Sequence, residues 1–159
     1  MNIYMLLVTL IILTAFIIAV YLGKYYASIP ALVVFITSVY FWSKPEDKTR
    51  MYIDIITVQI AMYFSIFYAY SYMDSKKFRT YISILAVGLI YYLFAILIWN
   101  LNPYITEENA GFYKTITLML HSMGTLITNY SNVFMYLTVL WGQKLTDIFI
   151  YNIYKWEVI

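Results

Sequence analysis

Apolar residues fall into long runs separated by short polar breaks. The runs cover residues 3–22, 28–42, 51–73, 81–99, and a last region from about 115 onward. Crossing ~30 Å of hydrocarbon takes about 20 helical residues at ~1.5 Å each, so the first, third and fourth runs predict full-length spans. The second is short and carries Pro30 in its predicted first turn, where a missing N–H costs nothing; a span of that length tilts little or sits where the bilayer is thinned. The breaks "SKPEDKTR", "DSKKFR" and "NLNPYITEENAGF" read as loops, the last with Pro103 and Gly111 as breakers. The fifth run is too long for one perpendicular crossing. Lys144 and Asp147 interrupt it, three residues apart and able to pair on one helix face. It crosses over about 116–141 and leaves an interfacial tail, or it crosses slightly later with those charges against a partner; the pattern leaves both open. The expectation is an all-α integral membrane protein, one domain over 1–159 with about five transmembrane helices. The first run starts too near the N-terminus for a basic leader and reads as a retained span.

Composition sharpens this picture. Of 159 residues 64% are hydrophobic and 11% charged, against ~25% charged in soluble domains, too few charges to cover so much apolar surface. The net charge of +2 comes from scattered basic residues, which argues against nucleic-acid binding. There is no cysteine and one histidine, which excludes disulfides and thiolate metal sites and makes a protein-built zinc or di-iron site unexpected. The 19 tyrosines and 10 phenylalanines, with abundant Ile, Lys and Asn, fit AT-rich coding, as in a mitochondrial genome or a reduced bacterium. Five crossings would place Lys24, Lys76, Lys77, Arg79 and Lys155 on one side, and Lys44, Lys48, Arg50 and Lys114 on the other. The basic bias is slight and puts the loop between spans three and four on the matrix or cytoplasmic side.

Few residues within the runs can carry chemistry. Asp54 lies about one turn inside the predicted third span. An intramembrane carboxylate faces a wet cavity or a partner, whereas an Asp near a helix start can simply sit among headgroups at the positive end of the helix dipole. Thr57, Ala61, Ser65 and Ala69 recur every fourth residue on the same helix, a small-residue stripe that lets another backbone approach; ordinary helix packing explains it equally. Tyr68 and Tyr72 continue roughly that face, so Asp54, Thr57, Ser65 and Tyr68 are the candidates for a proton path. His121 is the one side chain with an ordinary pKa near neutrality, though a lone histidine near a membrane surface is commonly a satisfied interfacial residue.

The stretch "HSMGTLITNYSNVF" gathers small and polar residues, with Gly124, Leu126, Thr128, Tyr130 and Phe134 in the spacing Gly-x-Leu-x-Thr-x-Tyr-x-x-x-Phe. This resembles the start of the last helix of NADH:ubiquinone oxidoreductase chain 6 and its bacterial J-subunit counterpart. "DIITVQIAMYFSIFYAYSYMD" is similar to the family's third helix, with Asp54, Ile55, Ile56 and Ala61 on its pattern and Asp74 at the helix exit. "IPALVVFITS" is similar to the second. One departure stands out: Ile60, preceded by Val58 and Gln59, occupies the place of a family glycine that permits a π-bulge, so unwinding there is less natural.

The resemblance implies a membrane-arm subunit of respiratory complex I, a proton-pumping translocase of the mitochondrial inner membrane or the bacterial plasma membrane. It implies coupling of quinone reduction to proton movement, with chains 1, 3 and 4L as partners and chain 2 near. NADH, FMN, iron–sulfur clusters and ubiquinone would be bound by other subunits, with no cofactor, metal or catalytic residue on this chain. Ala61, Ala69, Gly124, Thr128, Tyr130 and Phe134 would serve helix packing. Two alternatives compete. "GLIYYLFAILIWN" followed by "LMLHS" loosely resembles multi-pass membrane lipid hydrolases, with Thr57 as nucleophile and His121 as base. The other is a purely structural accessory membrane subunit.

Overall fold

The chain is an all-α membrane protein. A computed structural model describes the backbone of residues 3–100 and 107–156, and the side chains of 3–99 and 111–139. It contains five helices: α1 (Ile3–Tyr21), α2 (Tyr25–Ser43), α3 (Lys48–Tyr72), α4 (Ser75–Asn100) and α5 (Glu107–Trp156). The first four are long and apolar enough to cross a membrane. The expected pairing of Lys144 with Asp147, the placement of Pro103 and the side chain of Lys155 lie outside what is described.

Short polar punctuation sets the helix ends. Gly23, at φ 70°, closes α1: its N–H bonds to Val20 O at 2.9 Å and that of Lys24 to Ala19 O at 2.8 Å. This is the left-handed cap that glycine adopts without a Cβ penalty. The chain reverses at once, so α2 begins at Tyr25, earlier than expected. Pro30 is therefore inside the helix rather than in its first turn. With 19 residues, or ~28 Å, α2 is nearly full length, which corrects the expectation of a short span.

Asp47 caps α3, its Oδ1 accepting from the N–H groups of Thr49 at 3.0 Å and Arg50 at 3.3 Å. Arg50 folds back onto the end of α2, donating to Ser43 Oγ at 2.8 Å and lying 4.2 Å above the centre of the Tyr40 ring. Asp74 does the same for α4, accepting from the N–H groups of Lys76 and Lys77 at 3.1 and 2.9 Å. The Lys77 N–H, helped by its ammonium, holds the exposed Asp74 carboxyl below the usual carboxylate range. These caps belong to the helices they start, so α3 and α4 begin further out than hydropathy alone suggests. α3 is α-helical throughout, with no π-turn at Ile60.

The helices pack in the spatial order α3–α2–α1–α5–α4, and α3 meets α4 and α5 only sparsely. Cross-links fix the register. Asn129 Nδ2 donates to Ile11 O on α1 at 2.7 Å, and Tyr136 OH to Ala27 O on α2 at 2.9 Å. α4 and α5 touch closely: a Cβ on Gly124 would come within 3.1 Å of Gly88 O, and one on Gly88 would collide with the Thr128 methyl. The core gathers Ala15, Ala19, Ala27, Ala69, Tyr81 and Tyr136, near the α1–α2 and α3–α4 turns. The opposite end of the bundle, where α2 meets the start of α3, is looser and more polar. α5 has 50 residues, ~75 Å of helix and far more than one crossing. Among its described side chains, 111–139, the buried ones run from Thr117 to Val139.

Candidate functional site

Because α3 leans on α2 and barely reaches α4 and α5, a cleft of about 510 Å³ opens between them. Asp54 sits on its wall. Seven residues past the Asp47 cap, it lies ~10 Å along the helix axis, two turns in rather than one. Its side chain is 8% exposed. Oδ1 accepts hydrogen bonds from Ser38 Oγ at 2.8 Å and Thr37 Oγ1 at 2.9 Å, both from α2. Oδ2 makes none among the described residues. The headgroup reading of Asp54 therefore fails: the capping role belongs to Asp47, and Asp54 is turned into the protein.

Across the cleft, the His121 ring is held edge-on by two aromatic rings, Trp42 of α2 at 5.4 Å and Tyr92 of α4 at 4.9 Å. The histidine makes no hydrogen bond through its ring among the described residues. Tyr92 OH pairs with Thr125 Oγ1 at 2.8 Å, and Thr125 is one turn after His121. Trp42 is one turn after Ser38. The carboxylate, the two hydroxyls of α2, the imidazole and the Tyr92–Thr125 pair thus line one end of the cleft, where α2 ends and α3 and α5 begin. Among the described residues no Lys or Arg lines it, so none of them neutralises Asp54. Among the described residues no group of three or more His, Cys, Asp or Glu is placed to hold a metal ion.

The remaining candidates separate. Ser65 and Ala61 line the same cleft as Asp54, further along α3, but Thr57 and Tyr68 do not. The physical reason is helix geometry. Four residues turn through ~400°, so a strict four-residue stripe drifts ~40° per step, whereas the face actually presented runs Asp54, Val58, Ala61, Ser65, Ala69. Tyr68 stacks on Phe64 at 6.4 Å and tilts against Tyr72 at 4.8 Å. The four proton-path candidates therefore form no continuous chain, and Asp54 is partnered from α2 instead. The Thr57–His121 pair is not assembled either, since only His121 lies on the cleft wall.

The packing residues behave unevenly. Ala69 is fully buried, Gly124 and Thr128 meet Gly88, and Phe134 packs against the core. Tyr130 is 60% exposed and faces away from the bundle. Sequence reasoning missed Thr37, Ser38, Tyr81, Tyr92 and Thr125. The one available signal was the polar "TS" pair inside the apolar run "VVFITSVYF".

No known protein family, curated protein or solved structure matches this chain.

Proposed function

We propose that this chain binds a lipid-like amphiphile in the cleft, with the molecule's polar head at Asp54. The observation that supports it is the constellation at one end of the cleft: a buried carboxylate bonded to Thr37 and Ser38, opposite an imidazole whose ring makes no hydrogen bond among the described residues. The cleft volume of about 510 Å³ falls within the range of small-molecule sites, and an apolar wall with a few convergent polar groups is their usual chemistry. With a carboxylate and no cation on the wall, an anionic head is repelled. A head that donates hydrogen bonds, such as an ammonium, hydroxyl or amide N–H, fits the uncommitted Oδ2.

Trp42 and Trp99 line the cleft and serve as reporters. Quenching of their fluorescence by a brominated long-chain alkylamine, with the protein in nanodiscs, measures binding. The expected result is saturable quenching that weakens at least tenfold in Asp54→Asn, with a fatty acid of equal length binding more weakly than the amine. Equal binding of amine and acid, unchanged by Asp54→Asn, overturns the reading.

The second reading is the membrane-arm subunit of complex I. Its support is the depth of Asp54 together with the unfilled small-residue wall at Ala61 and Ser65, where a neighbouring subunit's helix has room to dock. Mild-detergent extraction followed by an NADH dehydrogenase assay on the co-purified proteins separates the two: activity travelling with the chain favours this reading, and an isolated chain that binds the amine favours the first.

A further inference from the structure

The far end of the same cleft carries a second polar pair. Tyr81 of α4 lines the cleft, is fully buried, and its hydroxyl has no hydrogen-bond partner among the described residues. Ser65 of α3 also lines the cleft and is 6% exposed. In this chain a helical serine commonly bonds back to the carbonyl one turn earlier, as Ser71, Ser83 and Ser122 do; Ser65 makes no such bond among the described residues. A buried hydroxyl left unpaired costs more than an ordinary hydrogen bond contributes, so the Tyr81 hydroxyl, with the uncommitted Ser65 hydroxyl on the helix across the cleft, marks a position that an oxygen atom would fill.

The spacing is readable from two helices independently. Asp54 to Ser65 on α3 is eleven residues, and Tyr81 to Tyr92 on α4 is eleven residues. Each gives ~16 Å along its axis, and the helices run antiparallel, so both place the second pair at the same distance from the head site. Walls of a different kind lie between, with Val58, Ala61, Leu85 and Leu89 lining the cleft.

We infer that the cleft selects an amphiphile whose chain carries a second oxygen, a hydroxyl or a keto group, about 16 Å from its head, received by Tyr81 and Ser65. Tyr81 donates to that oxygen and Ser65 donates to it or accepts from it. This rests on the proposed reading, in which the head sits at Asp54.

The test compares two probes by the same fluorescence competition: a long-chain alkylamine, and the same amine bearing a hydroxyl about 16 Å from its nitrogen. Wild-type protein should bind the hydroxylated amine about tenfold more tightly, the scale of one well-made buried hydrogen bond. Tyr81→Phe should erase that preference, so that the hydroxylated amine binds no more tightly than the plain one, and Ser65→Ala should reduce it. Equal affinities in wild-type protein, or a preference kept in both variants, overturn the inference while the head site stands. If Tyr81→Phe weakens the plain amine as well, its fold is disturbed and Ser65→Ala alone decides, by whether the preference falls. Wild-type protein that binds neither amine removes the head site, and this inference with it.

Discussion

Two seams of the bundle are built from similar ingredients and end differently. Between α4 and α5, Gly88 and Gly124 face each other, and the backbones close until a single added Cβ would strike Thr128 or Gly88 O. Along α3, Ala61 and Ser65 also present small surfaces, but α4 and α5 stay away and a cleft of about 510 Å³ remains. Small residues permit close approach without compelling it. What closes the α4–α5 seam is complementarity, a glycine opposite a glycine and a threonine methyl filling the notch. The α3 side has bulk opposite it instead, Tyr92 and Leu89 of α4, with polar groups that resist dry packing.

The sharpest way to break this contrast is to add volume at each seam. Gly88→Val should destabilise the fold most, because the new side chain meets Thr128 side chain and backbone together. Overpacking costs ~1–3 kcal/mol, and a rigid backbone neighbour pushes toward the upper end; a lowered melting temperature in detergent checks it, and an unchanged one would mean that the close seam is not closed. Ala61→Leu should be milder, since its side chain grows into open cleft. The expected shift in stability is below ~1 kcal/mol, with amine binding reduced because the added volume occupies the site. If it instead melts as Gly88→Val does, the two seams are equivalent.

The smallest effect concerns the ends of the helices rather than their seams. Asp74 has its carboxyl lowered by Lys77. A lowered carboxylate stabilises the fold above its unfolded pKa, and that contribution is lost as pH falls through the folded value. Acidification below the ordinary carboxylate range of about 4 should therefore loosen the start of α4, seen as faster amide exchange at Lys76 and Lys77. Asp74→Asn should show the same exchange at neutral pH and no further change on acidification.

How much of this was readable from the chain depends on the range of the interaction. The spans were legible because hydropathy is a local sum. Their ends moved outward because Asp47 and Asp74 cap through hydrogen bonds that hydropathy does not register, and that shift turned Asp54 from a surface residue into a buried one. Gly124 and Thr128 were legible as packing residues from their small size, but not their place: the stretch resembles a helix start, whereas α5 begins at Glu107 and both lie well inside it. Tyr130 was not legible, because spacing along one helix does not say which side is covered. The partners of Asp54 were out of reach. Thr37 and Ser38 lie 17 and 16 residues away, on another helix, and only the packing of α2 against α3 brings them to the carboxylate. The same holds for His121, whose neighbours Trp42 and Tyr92 come from two different helices.

The hydrogen bond from Asn129 to the carbonyl of Ile11 joins residues 118 positions apart, and this has a consequence for synthesis. α1 leaves the ribosome before α5, with three helices between them, yet the two are neighbours in the bundle. Until α5 arrives, α1 has only α2 to lean on, and Thr9, Ala15 and Ala19 have part of their final cover missing. A nascent chain stopped after α4 is thus an open sheet of helices rather than a partial bundle, with α4 lacking the seam that holds it. The protein closes in a late step, when α5 slots between the two ends of the row.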